Sequence, residues 1–246
     1  MEPQHRMGSR EDWLAASRAL LVEEKAHMRA SDELARKRRE LPWVKVDKTY
    51  GFDTLQGRKT LSELFDGRSQ LIVYHFMLGP DWEEGCVGCS FVSDHMIGIV
   101  THLEHHDVSY VTVSLAPLAK IEAFRKRMGW AFPWVSSNGS DFNFDYHVSF
   151  TPEEVASKKA FYNFTETDVG IDELHGHSVF YKDERGDVYH TYSCYGRGGE
   201  RFINTYAHLD VTPKGRNETR GMTDWLRHHD RYQDQKPSGG CAACGT

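Results

Sequence analysis

A chain of 246 residues, 39% hydrophobic and 27% charged, is long enough for one sizeable domain with additions and apolar enough to build a core. Thirty Lys and Arg against thirty-six Asp and Glu leave a net charge of −6, which argues against general nucleic-acid binding. The longest apolar run, Leu71 to Leu78, is interrupted by His75 and is far shorter than a bilayer span, so no membrane partner is expected. The polar opening, Met1 to Arg6, leads into no apolar stretch of the kind a secretory signal carries. Five cysteines, an odd and low number, do not read as a disulfide scaffold. The expected compartment is the cytoplasm, where paired cysteines usually do redox or metal chemistry.

The first 41 residues read as a helical arm. Trp13, Leu14, Leu20, Leu21, Met28 and Leu34 recur at roughly helical spacing among charges. The basic run Arg36 to Arg39 suits a helix C-terminus better than a nucleic-acid contact, and Pro42 stops the helix. Residues 42–235 read as one α/β domain. Alternation at Val44-Lys45-Val46 and Tyr50-Gly51-Phe52 predicts short strands, and Leu61 to Phe65 a small helix. Ser69 to Leu78, β-branched and aromatic throughout its centre, predicts a strand buried on both faces. A helix is expected from about Cys89 to His106, a second buried strand at Tyr110 to Leu115, and a helix from Pro117 to Met128 closed by Gly129. Strand–helix–strand–helix at these lengths is a βαβ unit with parallel strands.

Ser136 to His177 has weak periodicity and gives no assignment. Val179-Phe180-Tyr181 and Val188 to Tyr192 flank the turn-rich Asp183 to Asp187 and predict a hairpin, followed by a closing helix at Phe202 to Leu209. Residues 236–246, Gly- and Ser-containing, have the composition of a flexible tail and carry Cys241-Ala242-Ala243-Cys244.

Cys86-Val87-Gly88-Cys89 follows the first buried strand and opens a helix. That spacing sets both sulfurs on one side of the first helical turn, within disulfide reach. Backbone N–H groups and the positive end of the helix dipole favour a thiolate at Cys86, whereas Glu83 and Glu84 oppose it, so a modest depression of the Cys86 pKa is expected. Cys86 would attack a disulfide and Cys89 would resolve the mixed disulfide. The alternatives are half of a zinc site and two inert thiols. Cys241 and Cys244 are open between relaying electrons to the core pair, binding metal and doing nothing. Cys194 reads as a buried thiol.

Fourteen histidines are the other enrichment. His95, His102, His105 and His106 read as surface helix residues, although His102 and His106 have a metal-capable spacing. His75 reads as a satisfied core histidine, with contact to the site as the alternative, and His175 and His177 precede the hairpin. Trp82 is balanced between packing and shaping a docking surface. Gly196-Arg197-Gly198-Gly199 reads as a turn before the closing helix. No dinucleotide or P-loop motif is present, and no cofactor is expected.

Tyr50-Gly51-Phe52, Gly57 with Thr60-Leu61, Leu64-Phe65 and the buried strand leading into Cys-x-x-Cys resemble the thioredoxin-like superfamily. More narrowly, the chain resembles the bacterial DUF899 family, described as predicted dithiol-disulfide oxidoreductases. The stretches that carry this are Leu41-Pro42-Trp43-Val44, Val73 to Met77, Gly85-Cys86 with Cys89-Ser90, Ala116-Pro117-Leu118, Arg127 to Trp130, Ser136-Ser137 and Asp141-Phe142-Asn143. The resemblance implies a thioredoxin-like central mixed sheet flanked by helices, with the N-terminal helix as an extension. Two positions depart from the wider superfamily. Leu174 to Ser178 lacks the proline that thioredoxins place opposite the dithiol, which weakens the expectation of protein substrates. Glu83 stands where peroxiredoxins carry Thr or Ser, which weakens a peroxidase reading.

Three readings follow. The first is a cytoplasmic thiol-disulfide oxidoreductase with Cys86 and Cys89 as its catalytic residues and an unknown thiol or disulfide as substrate and donor. The second is a zinc-binding module of the same fold that uses its cysteine pairs without redox turnover. The third is a redox-inactive scaffold that forms a homodimer through its N-terminal helix.

Overall fold

The computed structural model describes residues 5–232. The chain runs through α1 (Arg10–Arg39), β1 (Val44–Lys45), the hairpin β2 (Gly51–Thr54) and β3 (Gly57–Thr60), and a 3-10 turn at Ser62–Phe65. It continues through β4 (Gln70–His75), α2 (Val87–Asp94), α3 (Ile99–His105), β5 (Val108–Ser114), α4 (Leu118–Arg127) and β6 (Trp134–Ser136). Then come α5 (Phe142–Asp145), α6 (Pro152–Ser157), the small hairpin β7 (Ala160–Tyr162) and β8 (Thr165–Thr167), and the long hairpin β9 (Gly176–Lys182) and β10 (Val188–Tyr195). A 3-10 segment, Gly196–Phe202, leads into α7 (Asn204–Leu209), and a last 3-10 turn spans His229–Arg231.

Eight strands form one sheet in the order β1-β10-β9-β4-β5-β6-β2-β3. β4, β5 and β6 are parallel neighbours, and every other pairing in that sheet is antiparallel. The sheet is therefore mixed, with helices on its flanks, as the thioredoxin-like resemblance implies. β4 lies at its centre, between β5 and β9, which is where a continuous β-branched and aromatic segment belongs. Its side chains alternate between two cores. Leu71 and Val73 pack with Phe52, Val113, Phe142 and Phe180 on one face, and Tyr74 and Phe76 differ by joining Cys89, Phe91, Phe124, Trp130 and Trp134 in the other cluster.

α1 begins at a capping box in which the Ser9 hydroxyl accepts the Asp12 N–H (3.1 Å) and the Asp12 carboxylate accepts the Ser9 N–H (3.0 Å). Its four basic residues fill the last turn, where the helix dipole favours positive charge. No residue of this thirty-residue helix is buried. No helix among the described residues is long and apolar enough to cross a membrane.

Two expectations need correcting, and one unassigned stretch gains its elements. The continuous helix expected at Cys89 to His106 is two helices: Gly98 adopts φ +84°, a left-handed conformation that interrupts a right-handed helix, and α3 starts after it. The closing helix, expected from Phe202, starts at Asn204, because the Gly196 to Gly199 turn is part of a 3-10 segment that runs on to Phe202. The unassigned Ser136 to His177 stretch runs from the last residue of β6 through α5, α6, β7 and β8, each of six residues or fewer, to the first two residues of β9. Cys241, Cys244 and the 236–246 tail lie outside the described residues.

Candidate active site

β4 delivers the chain to the site, and its continuation is fixed by backbone bonds. The Cys86 N–H donates to Met77 O (3.1 Å), and Cys86 O accepts both the Ser90 N–H (2.9 Å) and the Ser90 hydroxyl (2.9 Å). The preceding residue has to be glycine, since a Cβ on Gly85 would lie 2.6 Å from the Phe76 ring and 2.7 Å from Phe124. This close approach seats the loop on the aromatic core and sets Cys86 at the N-cap of α2.

Both thiols are free in this structure, Cys86 half-buried and Cys89 buried. The Cys89 thiol donates toward the Cys86 sulfur, and the backbone N–H groups of Cys89 and Gly88 add to it. Burial opposes these donors, and the balance brings the Cys86 pKa down to about 7. Burial pushes Cys89 the other way, well above the ordinary thiol range, and the neighbouring Cys86 reinforces it. The two sulfurs are thus pushed in opposite directions, the outer one toward thiolate and the inner one toward neutral thiol. Glu84, expected to resist the thiolate, is held by Arg127 (2.8 Å) and Arg231 (2.7 Å), which keep its carboxyl below its usual range and offset its charge.

The two sulfurs open into a cavity of about 320 Å³ lined by Tyr74, Val92, His175, Gly199, Ile203 and Met222, with Arg197 and Glu200 among its other residues. Tyr74 is fully buried, and its hydroxyl has no hydrogen-bond partner of normal geometry; burial, the Cys89 and Cys86 thiols and Tyr110 all hold it protonated. Across the β4–β9 register Tyr74 faces His177, whose ring stacks on it at 4.5 Å. Burial holds His175 and His177 below the ordinary histidine range, favouring neutral imidazoles. In the stretch without proline, Gly176 is required by close packing, because a Cβ there would lie 2.6 Å from Tyr195. A larger groove of about 480 Å³ shares no lining residue with this cavity.

The C-terminal segment closes round the loop. Met222 lies 3.2 Å from where a Gly88 Cβ would sit, Trp225 meets the Phe91 ring edge-on at 5.5 Å, and the buried His228 donates through Nε2 to Gly85 O (2.9 Å). Nothing in the periodicity of residues 222–231 announces this role.

Other residues singled out in the sequence fall away from the thiols. His75 points to the opposite face, where it bonds Ser178 (2.9 Å) and stacks on Phe142 and Tyr146. His95 departs from the surface reading: it is half-buried, donates to Phe91 O (2.6 Å) and accepts the Thr205 N–H (3.0 Å), tying α2 to α7. His102, His105 and His106 are exposed. Trp82 is half-buried and packs against Gly79 and the aromatic core. Cys194 is a buried thiol. Among the described residues, no group of three or more His, Cys, Asp or Glu side chains is placed to hold a metal ion.

The family model described as "Bacterial protein of unknown function (DUF899)" matches residues 2–232. The chain belongs to this family. No curated protein matches the chain. Among solved structures, the DUF899 chain is similar to peroxidoxin BcpB from Mycobacterium tuberculosis, at 12% identity over 69% of this chain and 97% of that one, with a TM-score of 0.44. It is also similar to the bacterioferritin comigratory protein of Xanthomonas campestris, at 11% identity over 68% and 96% of the two chains, with a TM-score of 0.44. A third similarity is to a putative protein disulfide isomerase from Bacteroides thetaiotaomicron, at 14% identity over 72% and 94%, with a TM-score of 0.37.

Proposed function

We propose that this DUF899 protein is a thiol-disulfide oxidoreductase in which Cys86 is the nucleophile and Cys89 the resolving thiol. The observation that carries the reading is the split between the two sulfurs. A half-buried thiol with a pKa near 7 caps a helix, and its buried partner three residues on stays protonated. An attacking thiol works best when its pKa lies near the ambient pH, because thiolate fraction and nucleophilicity are then balanced.

The Cys86 thiolate attacks one sulfur of a substrate disulfide, forming a mixed disulfide and expelling the other sulfur as a thiolate. Cys89 then gives up its proton and attacks the Cys86 sulfur. The second substrate thiolate leaves, and Cys86–Cys89 becomes the disulfide. Two electrons pass to the substrate, whose thiolates take up the Cys89 proton and protons from water, and a reducing thiol restores the pair. A cytoplasmic setting, where thiols are kept reduced, suits this direction.

The test is turnover of bis(2-hydroxyethyl) disulfide with dithiothreitol as reductant. Cys86→Ser is expected to lose activity at least a hundredfold. Cys89→Ser, given the disulfide without dithiothreitol, is expected to stall as a mixed disulfide whose added mass maps to Cys86. Full activity in Cys86→Ser would overturn the proposal.

A further inference from the structure

The two halves of a disulfide substrate have different fates at this site. One leaves as a thiolate, and the other stays on Cys86 until Cys89 releases it, so the retained half has to lie in the cavity that both sulfurs share. That cavity is walled by β4, α2, the approach to β9, the 3-10 segment with its exit, and the C-terminal segment. At about 320 Å³ it lies at the small end of small-molecule sites, which run from about 300 to 1,000 Å³. Tyr74, Val92 and Ile203 are buried in its walls. The half-buried Met222 closes the side over Gly88, 3.2 Å from where a Cβ there would sit. Besides Cys86, the charged residues among the described lining are Arg197 and Glu200. They pair with each other at 3.0 Å, and Arg216 also takes Glu200 at 3.5 Å. The Arg197 side chain is 88% exposed, so its charge lies in solvent. Burial favours the neutral form of His175. A charged substrate arm would lose its water here and meet no counter-charge except the thiolate itself.

We infer that the substrate is a low-molecular-weight, uncharged disulfide with short apolar arms, and that the arm retained on Cys86 packs against Tyr74, Val92, Ile203 and Met222. The inference rests on the reading of Cys86 as the nucleophile. The substrate S–S bond breaks, the Cys86–Cys89 bond forms, and both halves of the substrate end as thiols. The substrate is thus reduced by two electrons, the cysteine pair is oxidised by two, and a reducing thiol such as dithiothreitol returns the pair. Selection arises because the retained arm exchanges water for apolar walls. Each methylene that enters is favoured, and each charge that enters loses its hydration. A cysteine within a protein chain continues into polar backbone on both sides, which a cavity of this size and lining does not accommodate.

The test follows the appearance of the Cys86–Cys89 disulfide in the prereduced full chain, without dithiothreitol, by N-ethylmaleimide quench and peptide mapping. Each second-order rate constant is divided by that of the same disulfide with dithiothreitol. This removes the intrinsic reactivity of the disulfide and its attraction to, or repulsion from, a thiolate. Dipropyl disulfide, bis(2-hydroxyethyl) disulfide and cystamine have arms of equal length that end in methyl, hydroxyl and ammonium. The normalised rate is expected to fall in that order, with cystamine about tenfold or more below dipropyl disulfide. From dimethyl to diethyl to dipropyl disulfide it is expected to rise about fourfold per step, the effect of burying one methylene. Insulin is expected to react more slowly than any of the uncharged small disulfides. Met222→Gln, which keeps the length of the side chain and makes it polar, is expected to narrow the gap between dipropyl disulfide and cystamine. Should it fail to fold, Val92→Thr, of the same shape, makes the same comparison. Rates that are flat across the series, or that favour cystamine or insulin, overturn the substrate class and leave Cys86 standing as the nucleophile. An unchanged gap in the variant overturns the placement of the arm. A Cys86–Cys89 disulfide that forms with no member of the series overturns both readings.

Discussion

Tyr74 and His75 are neighbours in β4, both buried, and each holds a polar atom without a hydrogen-bond partner, the hydroxyl of one and Nδ1 of the other. Their surroundings differ completely. Tyr74 faces the cavity, the two thiols and His177. His75 faces Phe142 and Tyr146, and its Nε2 begins a hydrogen-bonded chain through Ser178 and Ser193 to His190, with links of 2.8 to 2.9 Å. Burial and an orphaned atom are therefore not enough to mark a reactive site. What distinguishes the Tyr74 face is a helix N-terminus carrying a thiol and a cavity through which that thiol is reached. The His75 face is a packed aromatic core that carries no thiol.

The largest effect that tests this division is Phe142→Ala. Phe142 is fully buried on the His75 face and meets Phe52 at 4.9 Å and Tyr50 at 5.1 Å, both edge-on. Removing the ring is expected to cost about 3–5 kcal/mol of unfolding free energy, read from the urea midpoint. The pH midpoint of Cys86 alkylation is expected to stay near 7. A shift of that midpoint would show that the two faces are coupled.

A smaller effect separates the faces by pH. Burial pushes His75 from an ordinary 6.5 down to about 3. Between those values the unfolded chain binds a proton that the native chain refuses, so the stability this residue leaves intact above pH 6.5 is progressively lost as the pH falls toward 3. At pH 4.5 the loss is about 2–3 kcal/mol as an upper bound. Glu173 tilts the curve the other way: burial raises it to about 8, so its contribution is complete below 4.5 and is lost as the pH rises to 8. The clean comparison is therefore His75→Gln against wild type at pH 7.5 and 4.5. The variant is expected to lose about 2 kcal/mol less between them, and equal losses would remove His75 from the account.

The fold was legible because its central strands are written in β-branched and aromatic residues that alternate between two cores, as Leu71, Val73 and Tyr74 do. The dithiol was legible because cysteine spacing and a strand-to-helix junction are both local. The walls of the cavity were not. Tyr74 and His177 meet only through the β4–β9 register, and register is a long-range property. The segment from Ser136 to His177 stayed unassigned because its elements are very short and its turns sit at positive φ on His147, Lys158, Asn163 and Phe164, of which Lys and Phe rarely adopt that conformation. The wrap of Met222, Trp225 and His228 around α2 was equally hidden, since it depends on single contacts with Gly88, Phe91 and Gly85 and on no repeat.

The smallest effect lies at the rim of the cavity face, where the sequence set Glu84 against the Cys86 thiolate and the fold sets two arginines against Glu84. Arg127 is also engaged by Asp230, whereas Arg231 is committed to Glu84 through two bonds of 2.7 and 3.0 Å. Arg231→Gln therefore leaves more of the Glu84 charge uncompensated two residues from Cys86. The alkylation midpoint is expected to rise from about 7 by a few tenths of a unit, since the pair is partly exposed and screened by solvent. The same measurement in about 1 M salt is expected to erase the difference, because the Debye length there shrinks to about 3 Å. A rise that persists at high salt would mean that Arg231 acts by holding the segment on the loop, and the electrostatic account of the rim would give way to a mechanical one.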